Sequence, residues 1–179
     1  MKTTDYAFGG QNFFKSRITT EYGTVYVDDL SGRCFLLNNQ LNDLTNQGMR
    51  QFWQNNGKVF FLEQFFNLTS TRFPVLSTSS SSGVGYISTY DPRFKRLIIH
   101  KRDFEILPEY AAKLQYVNQV IDDPFDLEGT PNILFFNNFN FYLTDANGIP
   151  YKVDLNNSLI FRNPSFTISY SFLTNSWIS

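Results

Sequence analysis

The side chains that most often carry chemistry are scarce in this chain of 179 residues. It has one histidine, His100, and one cysteine, Cys34. A single histidine forms neither a histidine metal cluster nor a catalytic pair, and a single cysteine forms no internal disulfide. Each lies in a predicted strand, His100 after two isoleucines and Cys34 between Arg33 and Phe35. We therefore predict a structural or surface role for His100 and a small buried hydrophobic role for Cys34.

The densest group of carboxylates lies in "DDPFDLEG" and consists of Asp122, Asp123, Asp126 and Glu128. Carboxylates this close together could hold a calcium ion, but the spacing of an EF-hand is absent. A solvated acidic loop at a helix end explains the pattern better. We predict no catalytic, cofactor-binding or metal-binding residues and no cofactor. Whether an ion binds at Asp122, Asp123 and Asp126 stays an open question.

Four basic residues flank one predicted hairpin. Such a cluster can meet phosphate, but lysine and arginine at strand ends more often guard a sheet edge or border an interface. We therefore predict that all four stay at the exposed rim of the strand. They are Lys95, Arg96, Lys101 and Arg102.

The strand between these basic ends is "RLIIHK". Side chains alternate between faces along a strand, so Leu97 and Ile99 should share one face. Ile98 and His100 should share the other. Each face then carries an apolar residue, which predicts a strand covered on both sides.

The composition is rich in aromatic residues and poor in charged ones. Aromatic residues make up 18% of the chain and charged residues only 17%, against about 25% charged in ordinary domains. This balance favours a chain that hides surface against partners, although an aromatic-rich core explains it equally well. The net charge of −1 gives no electrostatic footprint for nucleic acid or an anionic membrane. No apolar run reaches transmembrane length, so no stable membrane partner is predicted.

Strand–turn–strand patterns recur along the chain. Turn formers at residues 28–32 predict a hairpin between "TEYGTVYVDD" and "GRCFLL". "YDPRF" predicts a second turn, and residues 145–148 predict a third inside "NILFFNNFNFYLTDANGIPYKVDLN". "PSFTISYSFLTNSWIS" predicts a last strand pair, or one strand and half of another.

Helical spacing interrupts these hairpins. "LTNQGMRQFWQNNG" predicts a short amphipathic helix near 46–56, with Thr45 or Asn46 as its cap and Gly57 at its end. A second helix is predicted near 109–122, and "KVFFLEQFFNL" also favours a helix. The predicted fold class is therefore mainly β with short helical insertions, in a single β-rich domain over 1–179.

Three blocks in order cover most of the chain. "ITTEYGTVYVDDLSGRCFLLNNQLNDLTNQGMRQFW" has an "EYG" strand, a "D…G" turn, an "FLL" strand and a "GM…W" helix. "GVGYISTYDPRFKRLIIHKRDF" has a "YDP" hairpin with a basic second strand, and "FTISYSFLTNSWIS" closes the series. In these features and their order the chain resembles the muzzle, or nozzle, tail proteins of crAss-like short-tailed bacteriophages. The middle block is the most specific.

The resemblance implies a fold and a function. The fold would be β-propeller-like blades, as a complete or incomplete propeller, around a central channel. The protein would be a structural protein of the virion at the tail tip, helping to close or guide the DNA exit channel during DNA ejection. Its partners would be other copies of itself in a ring (a homo-oligomer), other phage tail proteins and DNA passing through the tail channel.

Two departures from the family concern length. Muzzle proteins are far longer than this chain, and the family's closing block continues past its tryptophan–serine motif, whereas this chain stops at Ser179. A fragment of a larger propeller-containing tail protein is therefore expected.

Two other functions stay open at this point. One is a carbohydrate-binding or host-receptor-binding module of a phage tail, in which Trp53, Trp177 and the tyrosines stack on sugars. The other is a tail-associated glycosidase, which would need paired carboxylates. The sequence does not show that any two acids face each other, so the chain is predicted not to be an enzyme.

Overall fold

A computed structural model of the chain describes residues 14–29, 31–61, 84–113, 129–137 and 140–178. This part of the chain is mainly β, as predicted, and its strands pair antiparallel. Internal contacts divide the chain into two compact units. Unit 1 takes the described residues of 1–59, 75–102 and 165–179, and unit 2 those of 60–74 and 103–164. The single-domain prediction stays a prediction.

The first sheet of unit 1 is a four-stranded meander. Its strands are β1 (Ile18–Thr20), β2 (Gly23–Asp28), β3 (Arg33–Leu37) and β4 (Leu41–Asp43), in that order across the sheet. The predicted turn at residues 28–32 is confirmed, because Asp28 pairs with Arg33 across β2 and β3.

The predicted strand "TEYGTVYVDD" was wrong at its start. Glu21 and Tyr22 form a turn, and only Gly23 begins β2. Gly23 has a φ of +132°, a conformation that L side chains rarely adopt. A Cβ at this position would also lie 2.5 Å from the carbonyl oxygen of Leu37. This glycine therefore lets the chain turn tightly against the neighbouring strand.

The second sheet of unit 1 is built from two distant hairpins. β5 (Gly85–Asp91) and β6 (Arg96–Arg102) form one, and β12 (Phe166–Ser171) and β13 (Ser176–Ile178) the other. The first was predicted from its "YDPRF" turn, and the second as a last strand pair, or one strand and half of another. β6 pairs with β12, so the order across the sheet is β13-β12-β6-β5. Residues 103–164, the larger part of unit 2, lie between β6 and β12 in the sequence.

The first helix is α1 (Arg50–Asn56), which confirms the helix predicted near 46–56. The predicted cap was wrong. Thr45 and Asn46 belong to a separate 3-10 turn, Leu44–Asn46, and Asp43 caps that turn by accepting the Thr45 N–H. Met49 precedes α1 without a side-chain capping bond. Gly57 ends the helix as predicted, with its N–H donated to the carbonyl of Trp53.

Unit 2 contains two small sheets. One has the order β10-β9-β8, and the other pairs β11 with β7. Their bounds are β7 (Glu105–Ile106), β8 (Leu134–Asn137), β9 (Asn140–Thr144), β10 (Pro150–Val153) and β11 (Phe161–Arg162).

The third predicted hairpin is confirmed around residues 145–148, since Thr144 pairs with Pro150. Its first arm is not one strand, however. It divides into β8 and β9, which pair with each other. The helix predicted near 109–122 begins as α2 (Pro108–Ala111). Residues 114–128 lie outside the described chain, as does most of the helix predicted in "KVFFLEQFFNL".

The core of unit 1 forms where its sheets bury one face each. Val25 and Val27 pair with Leu36 and Cys34 on the buried face of the first sheet. On the second sheet β6 lies opposite β12, and the buried face of these two strands carries Leu97, Ile99, Lys101, Phe166, Ile168 and Tyr170. The hydroxyl of Tyr170 donates to the side-chain oxygen of Gln47, so this face of the second sheet contacts the chain that follows the first sheet.

Candidate functional site

The residues singled out for chemistry do not converge. Cys34 is fully buried, as predicted, and burial raises the pKa of its thiol above the ordinary value. His100 is exposed, and its Nδ1 lies 2.9 Å from the Thr167 hydroxyl on the paired strand. The acidic group at Asp122, Asp123 and Asp126 lies outside the described residues. Within the described ranges, no group of three or more His, Cys, Asp or Glu residues could hold a metal ion.

Side chains along β6 alternate between buried and outer faces as predicted, but the outer face is more exposed than predicted. Leu97 and Ile99 are fully buried on one face, while Ile98 is half-buried and His100 exposed on the other. The expectation of a strand covered on both sides was therefore wrong at His100. Its polar ring needs no apolar cover because it can bond to Thr167 across the sheet.

The prediction that all four basic residues stay at an exposed rim was wrong, because Lys95, Arg96 and Arg102 are half-buried and Lys101 departs furthest. Its side chain is fully buried. Its ammonium donates to the carbonyl of Asn56, at 2.7 Å, and to that of Lys58. It also lies 5.7 Å from the centre of the Phe166 ring. The last carbonyls of a helix have no partner within the helix, so a buried cation here stabilises the end of α1.

A second buried ion was not predicted. Asp103 is fully buried in unit 2 and accepts the backbone N–H groups of Phe60 at 2.7 Å and Phe61 at 3.0 Å. It also accepts the N–H of Phe104 at 2.9 Å. Phe60 and Phe61 are helical, so Asp103 satisfies N–H groups at a helix start. No local signal reveals this role, because the partners lie over 40 positions away.

The tryptophans considered for sugar binding are engaged within unit 1. Trp53 is 1% exposed and packs edge-on to Phe166 at 6.0 Å. Trp177 lies 5.2 Å from both Trp53 and Tyr170, and its indole N–H donates to the carbonyl of Leu44 at 2.8 Å. A sugar site built on these two rings is therefore not favoured.

Four turns of unit 1 lie together at one end, and we call this surface the hairpin end. Its turns are residues 21–22, 38–40, 92–95 and 172–175. The rings of Tyr22 and Phe172 stack at 4.4 Å, and the Phe172 N–H donates to the carbonyl of Lys95 at 3.0 Å. The close approach of Gly23 to Leu37 brings the first two turns together.

A polar group ties the hairpin end together. Glu21 accepts from the hydroxyl of Tyr90 and from the ammonium of Lys95, each at 2.6 Å. These two hydrogen bonds, with the Lys95 bond first, hold the pKa of Glu21 below its usual value. The pKa of Tyr90 is raised, first by burial and then by its bond to Glu21. The first sheet is thus linked to the second at their turns.

The hairpin end also carries the exposed apolar side chains of unit 1. Among the described residues of that unit, all four large apolar side chains classed as exposed lie there: Leu37 at 49%, Leu41 at 39%, Phe94 at 54% and Leu173 at 69%. The guanidinium of Arg93 sits 5.3 Å from the Phe94 ring. Apolar side chains concentrated on one surface mark a protein–protein contact more than a catalytic cleft.

None of the protein-family models, curated proteins or solved structures compared with the chain matches it. Among the described residues, no helix is both long and apolar enough to cross a membrane. The site must therefore be interpreted from its own geometry. That geometry is two linked sheets with an apolar end and no convergent catalytic groups among the described residues.

Proposed function

We propose that this chain is a structural protein of a phage virion, at the muzzle of the tail, where copies in a ring help to close or guide the DNA exit channel. The alternative was a module in which Trp53, Trp177 and the tyrosines stack on sugars. Its two tryptophans lose support because both rings are packed within unit 1. The resemblance of three ordered sequence blocks to muzzle proteins supports the structural role.

One observation carries the proposal, which is how the edges of the two sheets in unit 1 correspond. β1 lies beside β5, the first strand of each sheet. At the opposite edges, Trp177 of β13 donates to the carbonyl of Leu44, which directly follows β4. First strand beside first and last beside last is how consecutive four-stranded blades stack in a β-propeller. The arrangement supports blades, and hence the propeller-like fold of the proposal.

The hairpin end supports contact with another copy of the chain. A ring of blades requires each copy to cover part of its neighbour, and apolar surface is what such contacts hide. Phe94 and Leu173 project from turns of neighbouring hairpins on the second sheet. We propose that a second copy covers them.

A pair of substitutions tests this contact. Phe94→Ser with Leu173→Ser should keep the fold, because both side chains are exposed, and should lower the oligomer mass measured by light scattering. Leu159→Ser is the matched control, since Leu159 is 74% exposed but lies in unit 2. It should assemble like the wild type. A wild-type chain that stays monomeric at high concentration, or a double variant that assembles normally, contradicts the contact.

The virion role has its own test. Phage particles carrying the gene should contain the chain after density-gradient purification and a high-salt wash, in fixed ratio to other tail proteins. Mass spectrometry of the washed particles measures this ratio. Loss of the chain in the wash, or its presence only in infected-cell lysate, contradicts a structural role in the virion.

A further inference from the structure

Unit 2 contains a pocket that the proposed structural role does not use. Its volume is about 410 Å³, which falls in the usual range of small-molecule sites, about 300–1,000 Å³. α2 and the turn after it form one wall, and the β9–β10 hairpin forms the other. The pocket is lined by Glu109, Tyr110, Lys113, Asn132, Asp145 and Tyr151, with Leu143, Thr144 and Ala146 completing it.

Two tyrosine rings line the pocket from different elements. Tyr110 is on α2, and Tyr151 is on β10, opposite Leu143 of β9. Tyr151 is 47% exposed, so its ring is open to a ligand. Burial raises the pKa of Tyr110, and Glu109 and Tyr151 add to that rise, so the three groups are close.

The polar groups around the rings include both hydrogen-bond donors and hydrogen-bond acceptors. Asp145 is held rigidly, because its Oδ1 accepts the N–H groups of Asn147 at 2.8 Å and Ile149 at 2.9 Å. Both of these bonds use Oδ1, which leaves Oδ2 to accept from a ligand. Asn132 is fixed by its own N–H, which donates to the carbonyl of Thr144 at 3.1 Å. Its side-chain amide can both donate and accept.

We propose that this pocket binds a neutral sugar ring, such as a terminal hexose of a glycan. The apolar face of a pyranose packs on aromatic rings, while its hydroxyl groups need acceptors and donors around the rim. Tyr151 supplies the exposed ring, Tyr110 adds a second aromatic side chain to the lining, and Asp145, Asn132 and Glu109 supply the hydrogen bonds.

Two other ligand classes fit less well. Two carboxylates against the single cation Lys113 make the lining net negative, which disfavours phosphate and other anions. An organic cation would compete with the Lys113 ammonium, which is part of the same lining and lies 4.8 Å from the centre of the Tyr110 ring. A neutral polyol conflicts with neither feature.

Saturation-transfer difference NMR on the full chain tests the proposal. The probes are methyl α-D-glucopyranoside, methyl α-D-galactopyranoside and N-acetylglucosamine, with choline and inorganic phosphate as probes of the other two classes. We expect transfer to the ring C–H protons of at least one sugar and none to choline. Transfer to choline alone, perturbation of the pocket resonances by phosphate alone, or no response to any probe overturns the proposal.

Variants tie binding to the pocket. Tyr151→Ala should weaken sugar binding by about tenfold or more, because a stacking ring is lost. Tyr151→Phe keeps the ring and should stay within about threefold of the wild type. Phe94→Ala removes an exposed ring in unit 1 and should leave sugar binding unchanged. Equal binding by Tyr151→Ala and wild type, or equal loss in the Phe94→Ala control, overturns the assignment to this pocket.

Discussion

At the scale of single residues, buried polar side chains form hydrogen bonds between segments that are distant in the sequence. Lys101 donates from β6 to carbonyls at the end of α1, and the hydroxyl of Tyr86 donates to the carbonyl of Gly57 in the same stretch. These bonds satisfy backbone carbonyls at the end of α1 and just after it. Leaving such a group unsatisfied costs about 1–3 kcal/mol.

Replacing Lys101 tests this role. Lys101→Met keeps the length of the side chain but removes the donor, so the carbonyls of Asn56 and Lys58 lose a partner. We expect the free energy of unfolding to fall by about 2 kcal/mol, measured by urea denaturation. Lys152→Met, at an exposed position of β10, is the matched control and should leave the midpoint nearly unchanged. Equal effects of the two variants would show that Lys101 is not buried as described.

Cys34 gives a prediction on pH. Burial raises the pKa of its thiol in the folded state, so the unfolded chain loses this proton first as the pH rises. The neutral thiol therefore contributes stability that is complete below the unfolded pKa, about 8.5, and declines above it. Above about pH 9, the wild type should lose up to about 1.4 kcal/mol of unfolding free energy per pH unit through Cys34. The Cys34→Ala variant should not show this loss. Urea midpoints at pH 7.5 and pH 10 measure the difference, and an identical pH dependence in both proteins would contradict it.

At the scale of elements, tight turns set the register of the sheets. Gly23 begins β2 directly after the turn at Glu21 and Tyr22, where a Cβ would lie 2.5 Å from the carbonyl oxygen of Leu37. Backbone atoms cannot move aside as the end of a flexible side chain can. The closeness of β1, β2 and β3 at this end thus depends on the absence of a side chain at position 23.

Gly23→Ala should therefore destabilise unit 1 by about 3 kcal/mol, from backbone strain plus the steric clash. Gly48→Ala is a matched control, because Gly48 also has a positive φ, +84°, but no atom lies within 4 Å of a Cβ built there. It should cost only about 1 kcal/mol, from backbone strain alone. Thermal unfolding of both variants measures the difference. A Gly23→Ala protein as stable as Gly48→Ala would argue against the close approach.

Turns and strand faces could be predicted because their signals are local. The residues at 28–32, "YDPRF" and 145–148 each adopt the turn that their sequence favours. The buried faces of β6 and β2 also follow from alternation. Lys101 and Asp103 could not be placed, because their burial depends on carbonyl or N–H groups more than 40 positions away. The pairing of β6 with β12 was equally hard to predict, because residues 103–165 separate these strands.

At the scale of the whole molecule, the aromatic composition has two uses in the described chain. In the core of unit 1, Phe166 packs on Trp53, Trp53 on Trp177, and Trp177 on Tyr170. Phe94 and Tyr151 remain exposed, at the hairpin end and at the pocket of unit 2. The buried rings support the interpretation of an aromatic-rich core, and the exposed rings support that of a surface for partners.

The most direct test of the central claim is cryo-electron microscopy of the tail tip of phage particles that carry this gene. The account predicts density at the distal end of the tail into which the two four-stranded sheets of unit 1 fit as neighbouring blades. That density should repeat around the tail axis, with Phe94 and Leu173 covered by an adjacent copy. Absence of the chain from the tail tip, or its presence there as a single copy with an exposed hairpin end, would contradict the account.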